Sequence, residues 1–376
     1  MTRTPVRVCL VGHGLMGRAH SVALSQAVAI DPSLEVRPEL AVICGRSAER
    51  AAAAADRFGF ADWTTDVAAA VSRGDVDLVD VCTPPGIHHE AIEAAAAAGK
   101  AVVCEKPLGS SLDQALRSLN AVKVAGVPNA VSFNYRRLQS VSLMARLVAD
   151  GVIGEPRAVR AIWLTDEFAD PDIPFDWRFD RSTGGTVTGD LGVHLIDLVQ
   201  WIVSPFAEVV ASSATFVTER PDPEGGPPLP VRTDDSCGAL GRLQSGVSVV
   251  LEMTRVALGR PCDWTLEITG SEGSIGFDYR NLNEIWLFTR EVGTDTQGFR
   301  RIRSELPGHP YSTRWWPQGQ GIGYQESFTN QMIDWLHQWK SGLLTPDFAT
   351  GVSAQAVVEA IDASAESGKW TRISSG

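Results

Sequence analysis

Between residues 6 and 135 the chain alternates short apolar runs with alanine-rich stretches, and no other feature narrows its fold as much. The apolar runs are VRVCLVG (6–12), ELAVICG (39–45), DLVDVCTP (77–84), AVVCEKP (101–107) and NAVSFNY (129–135). Between them lie AERAAAAADRFG (48–59), HHEAIEAAAAAGK (88–100) and SLDQALRSLNAVKVAG (111–126). Alanine is the strongest helix former, and runs rich in valine and cysteine suit strands buried on both faces. Gly59, Gly99 and Gly126 each close a helical stretch, as helix stop signals do. Strand, helix, strand repetition predicts a parallel sheet with right-handed crossovers.

After Tyr135 the texture changes. A helix-like segment (141–150) leads to RAVRAIWLTDE (157–167), which alternates as a half-exposed strand does. A loop rich in Asp and Pro (169–176) precedes a turn that enters a helix (184–203). Strand patterns then follow one another at 207–218, 236–243, 247–257, 263–270, 274–279 and 284–289, and helical patterns return at 325–341 and 352–367. Strands without intervening helices predict a largely antiparallel sheet. The expectation is an α/β protein of two domains: residues 1–135 with the parallel sheet, and residues 136–376 with an open, largely antiparallel one, the C-terminal helices packing back on the first domain.

The formal charge is −12, which disfavours a binder of nucleic-acid phosphates or of anionic membranes. No run approaches the roughly 20 apolar residues that span a bilayer. Six cysteines are scattered without a CxxC spacing, which fits small buried hydrophobes in a reduced, cytoplasmic protein.

Three motifs carry chemistry. In VCLVGHGLMGRAHS, Gly12, Gly14 and Gly17 form a GxGxxG that follows a strand and opens a helix, with Leu15 and Met16 between the last two glycines. The glycines permit a tight turn, close approach of backbone to a pyrophosphate, and close helix–strand packing. Dinucleotide binders that prefer NAD usually place an acid at the end of the second strand. Here Gly45, Arg46 and Ser47 stand there, and Arg46 with Ser47 suits the 2′-phosphate of NADP, so NADP is favoured over NAD. The second motif spans 83–109. Thr83-Pro84 and Glu105-Lys106-Pro107 end strands at the carboxyl edge of the sheet, where ligands of open α/β folds sit, and His88 opens a helix beside them on the cofactor side. A lysine at that edge suits a hydrogen bond to a substrate hydroxyl. The third motif is Gly189-Asp190-Leu191-Gly192-Val193-His194, with Asp197 beyond. On an α-helix Asp190 and His194 share a face, and a carboxylate orients an imidazole and tunes it toward neutrality.

Together, G-x-G-x-x-G-x-x-H (12–20), T-P-x-x-x-H (83–88), A-G-K-x-V-x-x-E-K-P (98–107) and G-D-x-G-x-H-x-x-D (189–197) resemble the Gfo/Idh/MocA oxidoreductases over almost the whole chain. The segments FNYRR (133–137), Trp177-Arg178-Phe179 and GxGYxxSF (321–328) resemble the branch that holds inositol and levoglucosan dehydrogenases. The resemblance implies an N-terminal Rossmann domain, a C-terminal domain whose open sheet mediates a homodimer or homotetramer, and a catalytic set that falls here on Lys106, Asp190 and His194. It implies hydride transfer between nicotinamide and a ring alcohol of a sugar or cyclitol. Tyr135, Arg136, Trp163, Asp166, Trp177, Arg178, His309 and Tyr324 are the candidates for substrate contact. No metal is expected, because no cysteine stands near His194 and Asp197. Two rival readings use the same fold: a glycoside hydrolase that returns its hydride, and a dinucleotide sensor that needs only the glycines.

Overall fold

The structure, a computed structural model, describes residues 3–290 and 294–374, which divide into two compact units. The first holds the chain up to Arg137 together with Gly323–Val352, and the second holds Leu138–Ile322 and the chain from Ser353 onward. The expectation set the boundary at 135/136 with the C-terminal helices packing back; in the structure residues 323–352 group with the first unit.

In the first unit β1 (Thr4–Val11), α1 (Leu15–Ile30), β2 (Val36–Cys44), α2 (Ala48–Phe58), β3 (Asp62–Thr64), α3 (Val67–Val71), β4 (Leu78–Val81), α4 (His88–Ala97), β5 (Ala101–Glu105), α5 (Leu112–Ala125) and β6 (Asn129–Ser132) follow in order. The six strands form one parallel sheet in the order β3-β2-β1-β4-β5-β6. The order reverses between β1 and β4, the switch point at which doubly wound folds bind ligands. β4 and β5 are buried along their whole length, as continuous apolar runs demand.

In the second unit α6 (Gln139–Ala149) and β7 (Pro156–Leu164) precede α7 (Val193–Ile202) and β8 (Phe206–Ala214). Two-residue strands β9 (Glu219–Arg220) and β10 (Leu229–Pro230) pair in the loop that follows. Then come β11 (Ser236–Leu243), β12 (Ser248–Thr254), β13 (Asp263–Gly270), β14 (Gly273–Asp278), β15 (Glu284–Thr289) and β16 (Arg300–Arg303). With β17 (Thr371–Arg372) they make a nine-stranded sheet, β16-β15-β14-β13-β7-β12-β11-β8-β17, antiparallel except where β7 meets β12. β11 and β12 alternate buried and exposed residues, so the sheet buries one face. Leu240 and Val250 lie on the other face, at 52% and 41% exposure, with half-buried Trp286 and Phe288.

Two helices complete the chain: α8 (Tyr324–Gln338), and α9 (Phe348–Ser367), which runs from residues of the first unit into the second. Phe328, Met332, Ile333, Trp335 and Leu336 of α8 join Val6, Val8, Ala19, Ala23 and Leu24 in one apolar core. Buried polar links fasten α8 to the end of β6: Asn134 donates to Ser327 at 2.9 Å, Gln331 to Ser132 at 2.8 Å, and Arg137 pairs with Asp334 at 2.8 Å. No described helix is long and apolar enough to cross a membrane. All six cysteines are unpaired, five of them buried.

Candidate active site

The glycine loop of the first unit is built for close approach. Gly12 has φ +99°, and a Cβ there would stand 2.6 Å from the carbonyl oxygen of Cys82; a Cβ on Gly17 would stand 2.1 Å from the carbonyl oxygen of Gly12. Gly14 faces open space, and α1 begins with no side-chain cap and no acid in its first turn. Its first N–H groups therefore have no anionic side chain to serve, which fits a pyrophosphate. Thr83 adds a buried hydroxyl without a hydrogen-bond partner at the same sheet edge. These observations fit a dinucleotide. Leu15 is 63% exposed, whereas Met16 packs into the core. At the end of β2, Ser47 caps α2 by accepting from Arg50 N–H at 3.4 Å, which leaves its own O–H as a donor beside Arg46. A Cβ on Gly45 would strike the His13 ring at 2.3 Å, so the missing side chain at this strand end is what lets the imidazole lie there.

The side chains of Glu105 and His88, both expected on the cofactor side, are buried in the core. The Glu105 carboxylate meets His20 Nε2 at 3.0 Å and accepts the Lys106 backbone N–H at 3.1 Å. His20 Nδ1 lies 2.9 Å from both oxygens of Asp80. Burial works against a charged His20 ring, but the charges of Asp80 and Cys82 and hydrogen bonds to them carry its pKa well above the usual value. Glu105 sits below the usual carboxylate range: burial opposes its charge, and the bonds and charge of His20 outweigh burial. His88 is fully buried, with Nε2 2.6 Å from the Thr83 carbonyl and Nδ1 3.0 Å from that of Pro107, so its neutral ring donates to one of the two loops that follow β4 and β5. Burial lowers its pKa. His20 closes the G-x-G-x-x-G-x-x-H motif, but neither it nor Asp80 was given a role from the sequence. The available signals were an acid inside the otherwise apolar run Leu78–Val81 and a histidine on the buried face of α1.

The second unit carries Asp190 and His194. The expectation of one regular α-helix is corrected here: residues Thr188–Gly192 form a π-turn, and α7 starts at Val193. Wide turns of this kind are frequent at functional sites. Glycines allow it, since a Cβ on Gly189 would stand 2.9 Å from the Gly184 carbonyl oxygen. Asp190 is paired with Arg178 Nε at 3.2 Å, and Arg178 also reaches Asp176 at 3.1 Å and lies 4.4 Å over the Trp177 ring. Burial opposes the Arg178 charge, but Asp190 and Asp176 hold its pKa above the usual value. The loop that carries Arg178 is fastened from beneath. Fully buried Arg255 donates to the carbonyls of Arg178 and Gly185 at 3.0 and 3.1 Å and pairs with Asp235 at 3.4 Å. Arg220 donates to the carbonyls of Phe168 and Asp170 and stacks 4.1 Å over Phe179.

His194 is 6% exposed, and its ring stacks on Trp163 at 5.7 Å, which itself stacks on Trp264 at 5.8 Å. Trp163, expected at the substrate, thus supports the histidine. Asp166 holds a turn by accepting from Gly259 N–H at 3.1 Å. In the first unit Tyr135 and Tyr324 lie 5.9 Å apart ring to ring, and Arg136 is buried against Phe133. His309 belongs to the second unit and keeps a buried Nδ1 without a hydrogen-bond partner. Asp234 accepts the N–H of Val187, just before the π-turn, at 3.0 Å. Burial raises its carboxyl, and burial followed by the Asp234 charge pushes Asp362 up to about 7. Among the described residues, the one group with metal-ligand spacing is His20, Asp80 and Cys82, whose ring nitrogens already face carboxylates.

Comparison with known proteins agrees with this geometry. Residues 6–133 match the profile of the oxidoreductase family with an NAD-binding Rossmann fold, and residues 141–276 match the GFO/IDH/MocA C-terminal domain. The chain is 35% identical to levoglucosan dehydrogenase of Pseudarthrobacter phenanthrenivorans over 98% of both chains. A crystal structure of an oxidoreductase domain protein from Kribbella flavida superposes with a TM-score of 0.95 at 40% identity, over 99% of this chain and 100% of that one. A levoglucosan dehydrogenase in complex with NADH and levoglucosan superposes with a TM-score of 0.95 at 35% identity, over 98% of this chain and 100% of that one. The chain belongs to the Gfo/Idh/MocA family of oxidoreductases.

Proposed function

We propose that this oxidoreductase moves a hydride between a nicotinamide cofactor and a ring secondary alcohol of a sugar, anhydrosugar, glycoside or cyclitol, with Lys106, Asp190 and His194 as its catalytic residues. The observation that carries the reading is the His194 ring, stacked on Trp163 and following closely in sequence an acid that is itself paired with Arg178. A buried imidazole near a fixed carboxylate and guanidinium suits removal of one hydroxyl proton and recognition of neighbouring hydroxyls. His194 takes the hydroxyl proton. Lys106 donates a hydrogen bond to the same oxygen and stabilises the negative charge that develops there. Asp190 and Arg178 hold the adjacent hydroxyl, and Trp177, Tyr135 and Tyr324 offer ring faces to the C–H face of the sugar. Trp163 and Arg136 act from behind these groups, Asp166 keeps its turn in shape, and His309 Nδ1 serves a further hydroxyl. The cofactor, when bound, supplies the carbon that accepts the hydride. The glycine loop and the first turn of α1 hold its pyrophosphate, with Thr83 and Pro84 beside it. NADP use rests on Arg46, with the O–H of Ser47 beside it.

The same reading includes a homodimer or homotetramer packed through the open face of the nine-stranded sheet, where Leu240 and Val250 are exposed. It places the protein in the cytoplasm, in keeping with six unpaired cysteines. Resemblance to enzymes that bind levoglucosan with NADH makes an anhydrosugar the first substrate to try.

The test is a panel of anhydrosugars, inositols, pyranoses and glycosides, with NAD and NADP in parallel, followed by nicotinamide absorbance and ketone formation. Reduced cofactor should accumulate in proportion to ketone. Sugar released from a glycoside with no net reduction would overturn the reading in favour of a hydrolase.

A further inference from the structure

His20 stands three residues past Gly17 on α1, with its ring fully buried. Both ring nitrogens face carboxylates, Nδ1 toward Asp80 on β4 at 2.9 Å and Nε2 toward Glu105 on β5 at 3.0 Å. Ionised carboxylates only accept hydrogen bonds, so the ring that satisfies both carries both protons. Cys82 Sγ lies 3.3 Å from Nδ1, and the Phe328 ring of α8 packs over the imidazole at 5.5 Å. The second oxygen of Glu105 accepts the backbone N–H of Lys106 at 3.1 Å. One carboxylate therefore joins a buried imidazolium to the peptide that carries Lys106.

Stability does not require this arrangement. Buried ion clusters contribute little net stability compared with apolar packing of the same volume, and valines already fill the positions around it on β1, β4 and β5. What charged hydrogen bonds add is direction, which methyl groups cannot supply. We infer that His20, acting through Glu105, is a positioning residue that fixes the backbone of Lys106 and so aims its amine. The inference rests on the role given to Lys106 above. His20 lies within the core, so it acts on turnover through Lys106 and not by touching substrate.

The test is a double-mutant cycle. His20→Gln and Glu105→Gln are each measured alone and combined with Lys106→Ala, with levoglucosan or the best substrate of the panel above. Slow variants are followed by single-turnover reduction of bound cofactor. Each single glutamine variant should lower kcat on the order of 10- to 100-fold, as misplacement of a reacting group does, with KM and NADH affinity little changed. In the Lys106→Ala background the same substitutions should lower kcat no further. Thermal unfolding shows which variant is folded, and Glu105→Gln carries the test if His20→Gln is not. Equal losses in both backgrounds, or an unchanged kcat in a folded single variant, overturn the positioning role. Full turnover in Lys106→Ala overturns instead the role of Lys106 itself.

Discussion

The two units differ in the company they give two pairs of carboxylates. In the first, Asp80 and Glu105 are buried with a histidine between them, and the Glu105 carboxyl lies below its usual range despite its burial. In the second, Asp234 and Asp362 are half-buried, and the cation near Asp362 is the half-exposed Arg181, 3.7 Å away and shared with Glu366. Partial burial pushes both carboxyls up, and the charge of Asp234 adds to the rise at Asp362. The contrast extends to how each unit reaches a ligand. The first offers bare backbone at strand and helix ends, where Gly12 and Gly17 leave no room for a Cβ. The second offers side chains, each held by another: His194 by Trp163, and the Arg178 loop by Arg255 and Arg220. On the proposed roles, the first is broken by an atom added at Gly12, and the second by a side chain removed.

The largest expected effect removes a side chain from the second unit. His194→Ala should lower kcat by roughly 10²- to 10⁴-fold, the usual contribution of a general base, while NADH affinity measured by fluorescence stays near its original value. Near-full turnover would make His194 a core residue and move the role of base to Lys106. The complementary experiment adds one methyl to the first unit. Gly12→Ala combines a positive φ with a Cβ 2.6 Å from a backbone carbonyl, so NADH affinity should fall on the order of 100-fold. Gly14→Ala meets nothing within 4 Å and should bind nearly as before. Equal behaviour of the two alanine variants would refute the backbone account.

Asp362 sharpens the comparison through pH. Its folded pKa, about 7, is raised above the unfolded value of about 3.8, so the stability tied to its proton is complete below the unfolded value and is lost as pH rises through 7. Asp362→Asn should therefore flatten the fall in stability between about pH 4 and pH 8, with a ceiling of about 4 kcal/mol at the alkaline end. Denaturant midpoints across that range check the sign, and a parent protein that gains stability toward pH 8 through this residue contradicts it. The smallest expected effect concerns Arg46. Arg46→Ala should weaken NADP by about 1.5–3 kcal/mol while NAD changes little. Equal losses would leave the arginine only a stacking role against the adenine.

Much of the first unit was legible in the chain because its strands are buried on both faces. Their Val and Cys runs and the alanine helices between them are local patterns that need no distant partner to be read. Short elements escaped. β3 is three residues and α3 five, too few to display a period, and β16 consists of Arg300, Arg301, Ile302 and Arg303, a composition that does not resemble a strand. The grouping of residues 323–352 with the first unit depends on packing of α8 against α1 across about 300 residues, and no local pattern records such a contact. In the site, Asp190, His194 and Lys106 stood out by motif. Arg255 and Arg220 did not, because they lie far from Arg178 in sequence and are recognisable only when their buried partners are known, and His20 stood in a motif that names neither Asp80 nor Glu105 as its partner. Ser47 carries a task the motif did not name: it stands before α2 and caps that helix.

The turn at Thr188–Gly192 has a consequence for how relatives of this chain are aligned. A π-turn carries one residue more than the regular helix would. Removing that residue would restore α geometry and swing every later side chain back by about 100°, taking the imidazole off the Trp163 face. Every position from Val193 to Val199 is buried, so the rotated helix would also present a different set of residues to the sheet. The chemistry can thus be lost with no residue of the motif altered. A relative that preserves the aspartate and the histidine but has a one-residue gap before them keeps the letters and loses the arrangement, and gaps between Thr186 and His194 are as informative as substitutions there.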